Sequence, residues 1–180
     1  MIARFFLMLA ASIIAFASVS RADHLPYDLQ AKGRPESRIA GIDMKRARLT
    51  DIIRLYGRPS RVEGVDHHNP RIADSFNYYW VKPGLNLHVL IQRLPNLEYV
   101  SLIEVETGTS RKNGRTGAGL KLGDTLQDLK RVYGNRFKMW NNPKLKVHAV
   151  TLQWRREEFS LEAALDEHNR ITAFTLAAPE

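Results

Sequence analysis

Two adjacent histidines are the most conspicuous candidates for chemistry in this 180-residue sequence. Asp66, His67 and His68 are consecutive, and Asp74 follows shortly after them in the sequence. Imidazole and carboxylate groups bind zinc and copper. Adjacent side chains of an extended chain point in opposite directions, however, and no other histidine stands at a fixed spacing from this pair. The segment therefore predicts a polar surface loop, with a metal carrier as the alternative, and no metal ligand is assigned.

Carboxylates on predicted strands are the second candidate. Glycoside hydrolysis needs two of them facing one substrate, and the sequence offers Glu104, Glu106 and Glu162. Their strand positions favour solvent-facing side chains. The serines lack a Gly-x-Ser-x-Gly elbow, and the absence of cysteine excludes a thiol nucleophile. No segment predicts a cofactor, so the sequence predicts a non-enzymatic protein, with a periplasmic hydrolase or sugar-binding protein as the alternative.

Aromatic residues that alternate along a strand favour a binding surface instead. If Phe76, Tyr78 and Trp80 face the core, the residues between them lie on the open face of a sheet. Trp140 falls in a basic segment that reads as a loop, where a large apolar side chain either serves as an interface anchor or folds back to seal a sheet edge. The predicted partner-binding residues are Tyr79, His88, Gln92, Trp140, Gln153 and Arg155.

An internal repeat shows which elements position these residues. Residues 49–57 read Leu-Thr-Asp-Ile-Ile-Arg-Leu-Tyr-Gly, and residues 126–134, at an offset of 77, read Leu-Gln-Asp-Leu-Lys-Arg-Val-Tyr-Gly. Upstream, Gly-Ile-x-Met at 41–44 matches Gly-Leu-x-Leu at 119–122. Two copies of one structural unit are therefore expected.

Each copy predicts a helix with one apolar stripe. The stripe consists of Leu49, Ile52, Leu55 and Tyr56 in the first copy and of Leu126, Leu129, Val132 and Tyr133 in the second. We expect both tyrosines to pack in the core rather than to act in catalysis. Asp124 is the predicted cap of the second helix, and Gly57 and Gly134 are predicted to end the helices with a left-handed residue.

Three strand-like runs follow each helix. They cover residues 76–81, 85–92 and 99–106 in the first copy and 150–154, 159–165 and 171–176 in the second. The predicted fold is α+β, with two tandem helix–βββ modules whose antiparallel sheets carry helices on one face. The predicted boundaries are an N-terminal arm at 23–40, module 1 at 41–106, a linker at 107–116 and module 2 at 117–180.

The N-terminus predicts export. Residues 1–22 have the charged start, apolar run and small residues of a signal peptide. The apolar run has about 13 residues, whereas a spanning helix needs roughly 20, so no membrane span is expected. The net charge is +8, but an exported protein meets proteins, glycans and lipids rather than nucleic acid. A periplasmic or secreted protein with no nucleic-acid partner is therefore predicted.

Residues 119–134 resemble a known signature. Gly119, Gly123-Asp124-Thr125 and Gly134, with the apolar residues between them, are similar to the helix motif of the BamE/SmpA-like superfamily. The tandem layout resembles the secreted β-lactamase-inhibitory proteins, although cysteine is absent here. The resemblance implies adaptors or inhibitors that bind proteins through loops and an open sheet face. We therefore predict an exported, non-enzymatic protein-binding module with a partner in the cell envelope.

Overall fold

The computed structural model describes residues 31, 35–65, 74–142, 147–154 and 159–178. The predicted signal peptide, the histidine pair at 67 and 68, and Arg155 lie outside these described residues. No helix in the described ranges is long and apolar enough to cross a membrane.

Most of the described chain is strand. The strands are β1 (Arg38–Ile39), β2 (Ile42–Asp43), β3 (Arg61–Val65), β4 (Asp74–Lys82), β5 (Leu85–Leu94), β6 (Leu97–Glu106), β7 (Lys138–Asn142), β8 (Val147–Gln153), β9 (Ser160–Leu165) and β10 (Ile171–Ala177). The helices are α1 (Leu49–Tyr56) and α2 (Leu126–Tyr133). β1 and β2 form a small hairpin, and the other strands form one antiparallel sheet in the order β3-β4-β5-β6-β10-β9-β8-β7.

The predicted α+β fold with two helix–βββ modules is wrong. The described residues are mostly β, with 53% of them in strands and 13% in helices. Both edge strands, β3 and β7, fall in segments that the sequence reads as irregular. In addition, β6 pairs directly with β10, from Glu106 opposite Ala173 to Leu102 opposite Ala177. This pairing joins both halves into one eight-stranded sheet, and a pairing between segments so far apart in the chain leaves no local sequence pattern.

One face of the sheet is the core face. In β5 the residues Leu85, Leu87, Val89 and Ile91 are buried, and the residues between them are half-buried, as in a strand with one face against the core. Strand β9 alternates in the same way. In β4 the set with Tyr78 and Trp80 faces the core, since Tyr78 is buried and Trp80 is fully buried. Its indole N–H donates to the carbonyl of Gly57, 2.8 Å away, and so fastens the end of α1 to the sheet.

The helices start and stop largely where the repeat predicts. Both C-terminal glycines have positive φ, 80° at Gly57 and 84° at Gly134, which glycine adopts without steric cost. The predicted cap of α2 is wrong, because Thr125 caps this helix. The Asp128 backbone N–H donates to the Thr125 hydroxyl, and the Asp128 carboxylate accepts from the Thr125 N–H. Asp124 instead accepts from the Lys121 N–H, 2.9 Å away.

The apolar stripe of each helix is narrower than predicted. Ile52 and Leu129 are fully buried, and Tyr133 is buried with them in the core. Leu55 and Val132, which hold the same position in the two helices, are 58% and 41% exposed. Helix residues at i and i+6 are about 600° apart at 100° per residue, so they diverge by a third of a turn. These two residues therefore contribute little to the core.

The chain ahead of α1 is pinned to α2 by a buried carboxylate. Glu36, which the sequence assigns to the N-terminal arm, is only 6% exposed. Its carboxylate accepts hydrogen bonds from the backbone N–H groups of Ser37, Arg38 and Ala118, at 2.9–3.0 Å, and from the Tyr133 hydroxyl, at 2.7 Å. The Tyr133 oxygen also lies 2.8 Å from the Thr116 hydroxyl, and burial raises the pKa of Tyr133.

Candidate binding face

The face of the sheet opposite the core carries one row of side chains drawn from all eight strands. Strand pairing places these residues opposite one another in sequence across the sheet. Residues paired in this way project from the same face and come within contact distance. We call this set the central row, and it consists of Arg61, Tyr79, His88, Glu104, Thr175, Glu162, Thr151 and Lys138.

The first part of the central row is a stack. The Tyr79 ring lies parallel to the His88 ring, with 4.6 Å between centroids and 11° between planes. The Arg61 guanidinium lies 4.1 Å from the Tyr79 ring centroid. Cation–π and ring stacking each stabilise such an arrangement modestly. The three side chains are thereby held against one another.

His88 connects this stack to the carboxylates. Its Nε2 lies 2.8 Å from Asn77 Oδ1, and its Nδ1 lies 3.3 Å from Glu104 Oε2. The side chains of His88 and Glu104 are only 14% and 12% exposed. A contact between a histidine and a carboxylate becomes an ion pair when the imidazole is protonated. The contact joins the aromatic part of the row to its acidic middle.

Glu162 occupies the other side of the acidic middle. Thr175 on β10 lies opposite both Glu104 and Glu162, so one strand separates the two carboxylates. Burial raises the pKa of Glu162, while hydrogen bonds from Trp140 and Thr151 lower it and the negative charge of Glu104 raises it. Two carboxylates therefore face the same side of the sheet, and both are poorly solvated.

Trp140 lies on strand β7 and not in a loop, which corrects the predicted setting. Its side chain hydrogen-bonds to Glu162, two strands away, and therefore crosses β8. The residues paired with it in sequence are Ala149 and Ala164, which are small enough to accept the ring above them. The half-buried indole thus covers this end of the open face. This position is nearer to the predicted alternative in which the ring folds back onto the sheet than to an exposed interface anchor.

The predicted partner-binding residues are brought together only in part. Tyr79 and His88 belong to the central row, and Trp140 contacts it through Glu162. Gln92 lies four residues along β5 from His88, and its side-chain oxygen accepts from the Tyr99 hydroxyl. Gln153 lies two residues beyond Thr151 on the same face, and Arg155 is outside the described residues.

Several members of the row were missed by sequence reasoning. Arg61 and Lys138 were missed because their edge strands were not predicted. The sequence predicts that Glu104 faces solvent, but its side chain is largely buried. The signal that places Glu104 in the row is its pairing with His88, and pairing cannot be read from one strand alone.

No group of three or more histidine, aspartate or glutamate side chains within the described ranges is arranged to hold a metal ion. Glu106, the third predicted carboxylate, accepts a 2.9 Å hydrogen bond from the Asn86 side chain. The side chains of the central row can instead supply hydrogen bonds, negative charge and ring faces to a bound molecule.

The raised pKa of Glu162 predicts a pH-dependent stability term. Because the folded state holds this proton more tightly than the unfolded state does, the stability of the wild type should fall as pH rises from the ordinary glutamate range through the raised pKa. Glu162→Gln should lack this fall, so its stability relative to the wild type should improve as pH rises over that window.

Urea unfolding at a series of pH values measures this difference. Glu167→Gln removes a carboxylate that is 75% exposed on a turn, and it serves as the matched control. A wild type that gains stability relative to Glu162→Gln as pH rises would contradict the assignment.

Comparisons with known proteins identify no family. No protein-family model matches this chain, and no curated protein is significantly similar to it. Among solved structures, the chain is similar to a DUF4309 family protein (YjgB) from Bacillus subtilis subsp. subtilis str. 168, with 17% sequence identity and a TM-score of 0.45 over 80% of this chain and 88% of that chain. A similarity this low supports no conclusion about the fold or the function of this chain. The resemblance to the BamE/SmpA-like superfamily stays a prediction.

Proposed function

We propose that this protein is exported to the periplasm or beyond and binds a protein partner in the cell envelope through its open sheet face, as an adaptor or inhibitor rather than as an enzyme. The observation that carries the proposal is the central row. Its aromatic, histidine and carboxylate side chains are held by contacts with one another. A preordered surface loses less side-chain entropy on binding than a mobile one.

The charge pattern of the row favours one kind of partner surface. Glu104 and Glu162 give the middle of the row a negative charge, while Arg61 and Lys138 lie at its ends on the sheet edges. Charge complementarity steers association and selects partners. The fitting surface therefore presents a basic side chain opposite the carboxylates, with flanking groups that accept hydrogen bonds from the ends.

Site-specific photocrosslinking in intact cells tests this proposal. A photoreactive residue at Thr175 or at Gln153 should crosslink to the same envelope protein. The same residue at Leu55 or at Val132 should not, since these exposed helix positions belong to the covered side of the sheet. Crosslinks of equal yield from all four positions, or none from the open face, would overturn the proposal.

A substitution sharpens the test. Tyr79→Ala removes the middle of the stack between Arg61 and His88, and it should reduce crosslinking from Thr175 by more than tenfold. Tyr99→Ala deletes the same kind of side chain from β6, two strands away from Tyr79 and outside the stack, and it should reduce the crosslinking much less. Equal effects of the two substitutions would indicate a general loss of folding and would contradict a specific role of the stack in binding.

A sugar-binding protein or hydrolase is the second candidate. It is favoured by one observation, the placement of Glu104 and Glu162 on one face beside the Trp140 ring. Stacking of a sugar on the indole and hydrogen bonds to both carboxylates would be needed. Calorimetry with envelope glycan fragments tests this candidate, and binding that is lost in both Glu104→Gln and Glu162→Gln would favour it over protein binding.

A further inference from the structure

Strand β3 is an edge of the large sheet. Within the described part of the chain it pairs with β4 alone. Residues 61–64 are all exposed, and the Val62 side chain is 49% exposed although it points to the core face, opposite Tyr78. An edge strand presents unpaired backbone N–H and C=O groups that can pair with another strand. The edge is therefore able to extend the sheet.

The charges on β3 alternate in a way that suits a second copy of the same strand. Arg61 and Glu63 project from the open face, two residues apart, and form a 3.2 Å ion pair within the strand. The Arg61 side chain is still 43% exposed, and the Glu63 side chain is 49% exposed. The opposite edge differs, because residues 138–142 read Lys-Met-Trp-Asn-Asn and contain no acidic residue. Only the β3 edge carries both signs of charge.

Register decides how two copies of β3 fit. A two-fold axis normal to the sheet keeps both open faces on the same side, so only registers that pair residues of the same face are allowed. Pairing Arg61 with itself, or Glu63 with itself, places like charges opposite each other, which is destabilising. The remaining register lies midway between the Arg61–Arg61 and Glu63–Glu63 registers. It puts Val62 opposite the partner's Val62 and Arg61 opposite the partner's Glu63. It forms two ion pairs and one apolar contact.

We propose that two copies of this protein associate through β3 in this register, as a symmetric dimer with one continuous sheet. The Val62 side chains, exposed in the single chain, cover each other on the core side. The Arg61 ends of both central rows meet on the open side, beside the partner's Glu63. The dimer therefore doubles the open face and joins the two rows. It follows from the edge alone and does not depend on the proposed envelope partner.

Charge reversal tests the dimer with the purified protein. Sedimentation velocity over a range of concentrations should show a reversible monomer–dimer equilibrium. Arg61→Glu alone and Glu63→Arg alone each place like charges across the two-fold axis, so each should raise the dimer dissociation constant more than tenfold. An equimolar mixture of these two variants should form a heterodimer again, because each supplies the charge that the other lacks.

Controls keep the result interpretable. Lys112→Glu reverses an exposed charge away from the edge and should leave the equilibrium unchanged. Circular dichroism establishes that each variant retains the wild-type strand content. A wild type that stays monomeric at every concentration would overturn the proposal. A dimer that both reversals leave intact, or a mixture that stays monomeric, would overturn it as well.

Discussion

Replacing Glu36 with alanine should destabilise the protein by about 3 kcal/mol, because a buried group that loses its hydrogen-bond partner costs roughly 1–3 kcal/mol. The Glu36 carboxylate is only 6% exposed and accepts from three backbone N–H groups and one hydroxyl. Alanine offers none of these acceptors. The Tyr133 hydroxyl would keep only its Thr116 contact in the core.

The location of this carboxylate explains why the effect should be large. Glu36 precedes β1, and the Ala118 N–H that it accepts from lies between the two halves of the chain. Its fourth donor, Tyr133, is the last residue of α2. Three segments that are distant in sequence therefore meet at one side chain. Gly117 leaves room for it, since a Cβ there would lie 2.7 Å from Glu36 Oε1.

Urea unfolding followed by circular dichroism measures the loss, and two variants calibrate it. Tyr133→Phe removes one donor from the cluster and should cost about 1–2 kcal/mol. Tyr56→Phe removes the equivalent hydroxyl in the first half, which donates to the Ala40 carbonyl, and it should cost less because Tyr56 is only half-buried. A Glu36→Ala variant within about 0.5 kcal/mol of the wild type would show that the arm contributes little to stability.

The local parts of the fold are readable from the sequence because they depend on residues that are neighbours in the chain. The alternation of β5 follows from its own side chains, and the helix ends follow from Gly57 and Gly134. Strand β3 was missed because it combines two charges and a glycine in five residues. An edge strand buries little on either face, so its sequence lacks the apolar alternation by which strands are recognised.

The candidate site was predictable only within single strands. Alternation placed Tyr79 and His88 on one face, and the structure agrees. In β6, simple alternation fails, because Val100 and Ile103 are both buried although they are three residues apart. A β-bulge opposite Leu90 and Ile91 shifts the register there, and a bulge redirects every later side chain of its strand.

The pairing of β6 with β10 lies further beyond the reach of sequence. It places Glu104 and Glu162 on either side of Thr175, although these residues come from different halves of the chain. Each carboxylate alone reads as an ordinary strand residue facing solvent. Only the joined sheet gives them a common surface and accounts for the raised pKa of Glu162.

Replacing Leu129 with alanine should cost about 3 kcal/mol, whereas Leu55→Ala should cost less than about 0.5 kcal/mol. The two substitutions delete the same atoms from stripe positions of the two helices. Leu129 is fully buried in the core cluster, so its loss leaves a cavity beneath α2. Leu55 is 58% exposed, so water fills the space that it leaves.

This comparison decides which residues of the repeat maintain the fold. The predicted stripe gives Leu55 and Leu129 equal weight, and equal losses in urea unfolding would mean that both pack in the core in solution. A loss confined to Leu129 would support the narrower stripe, in which Ile52 and Leu129 hold equivalent buried positions. The exposed pair, Leu55 and Val132, then remains on the surface of both helices, where their apolar side chains add little to the stability of the folded chain.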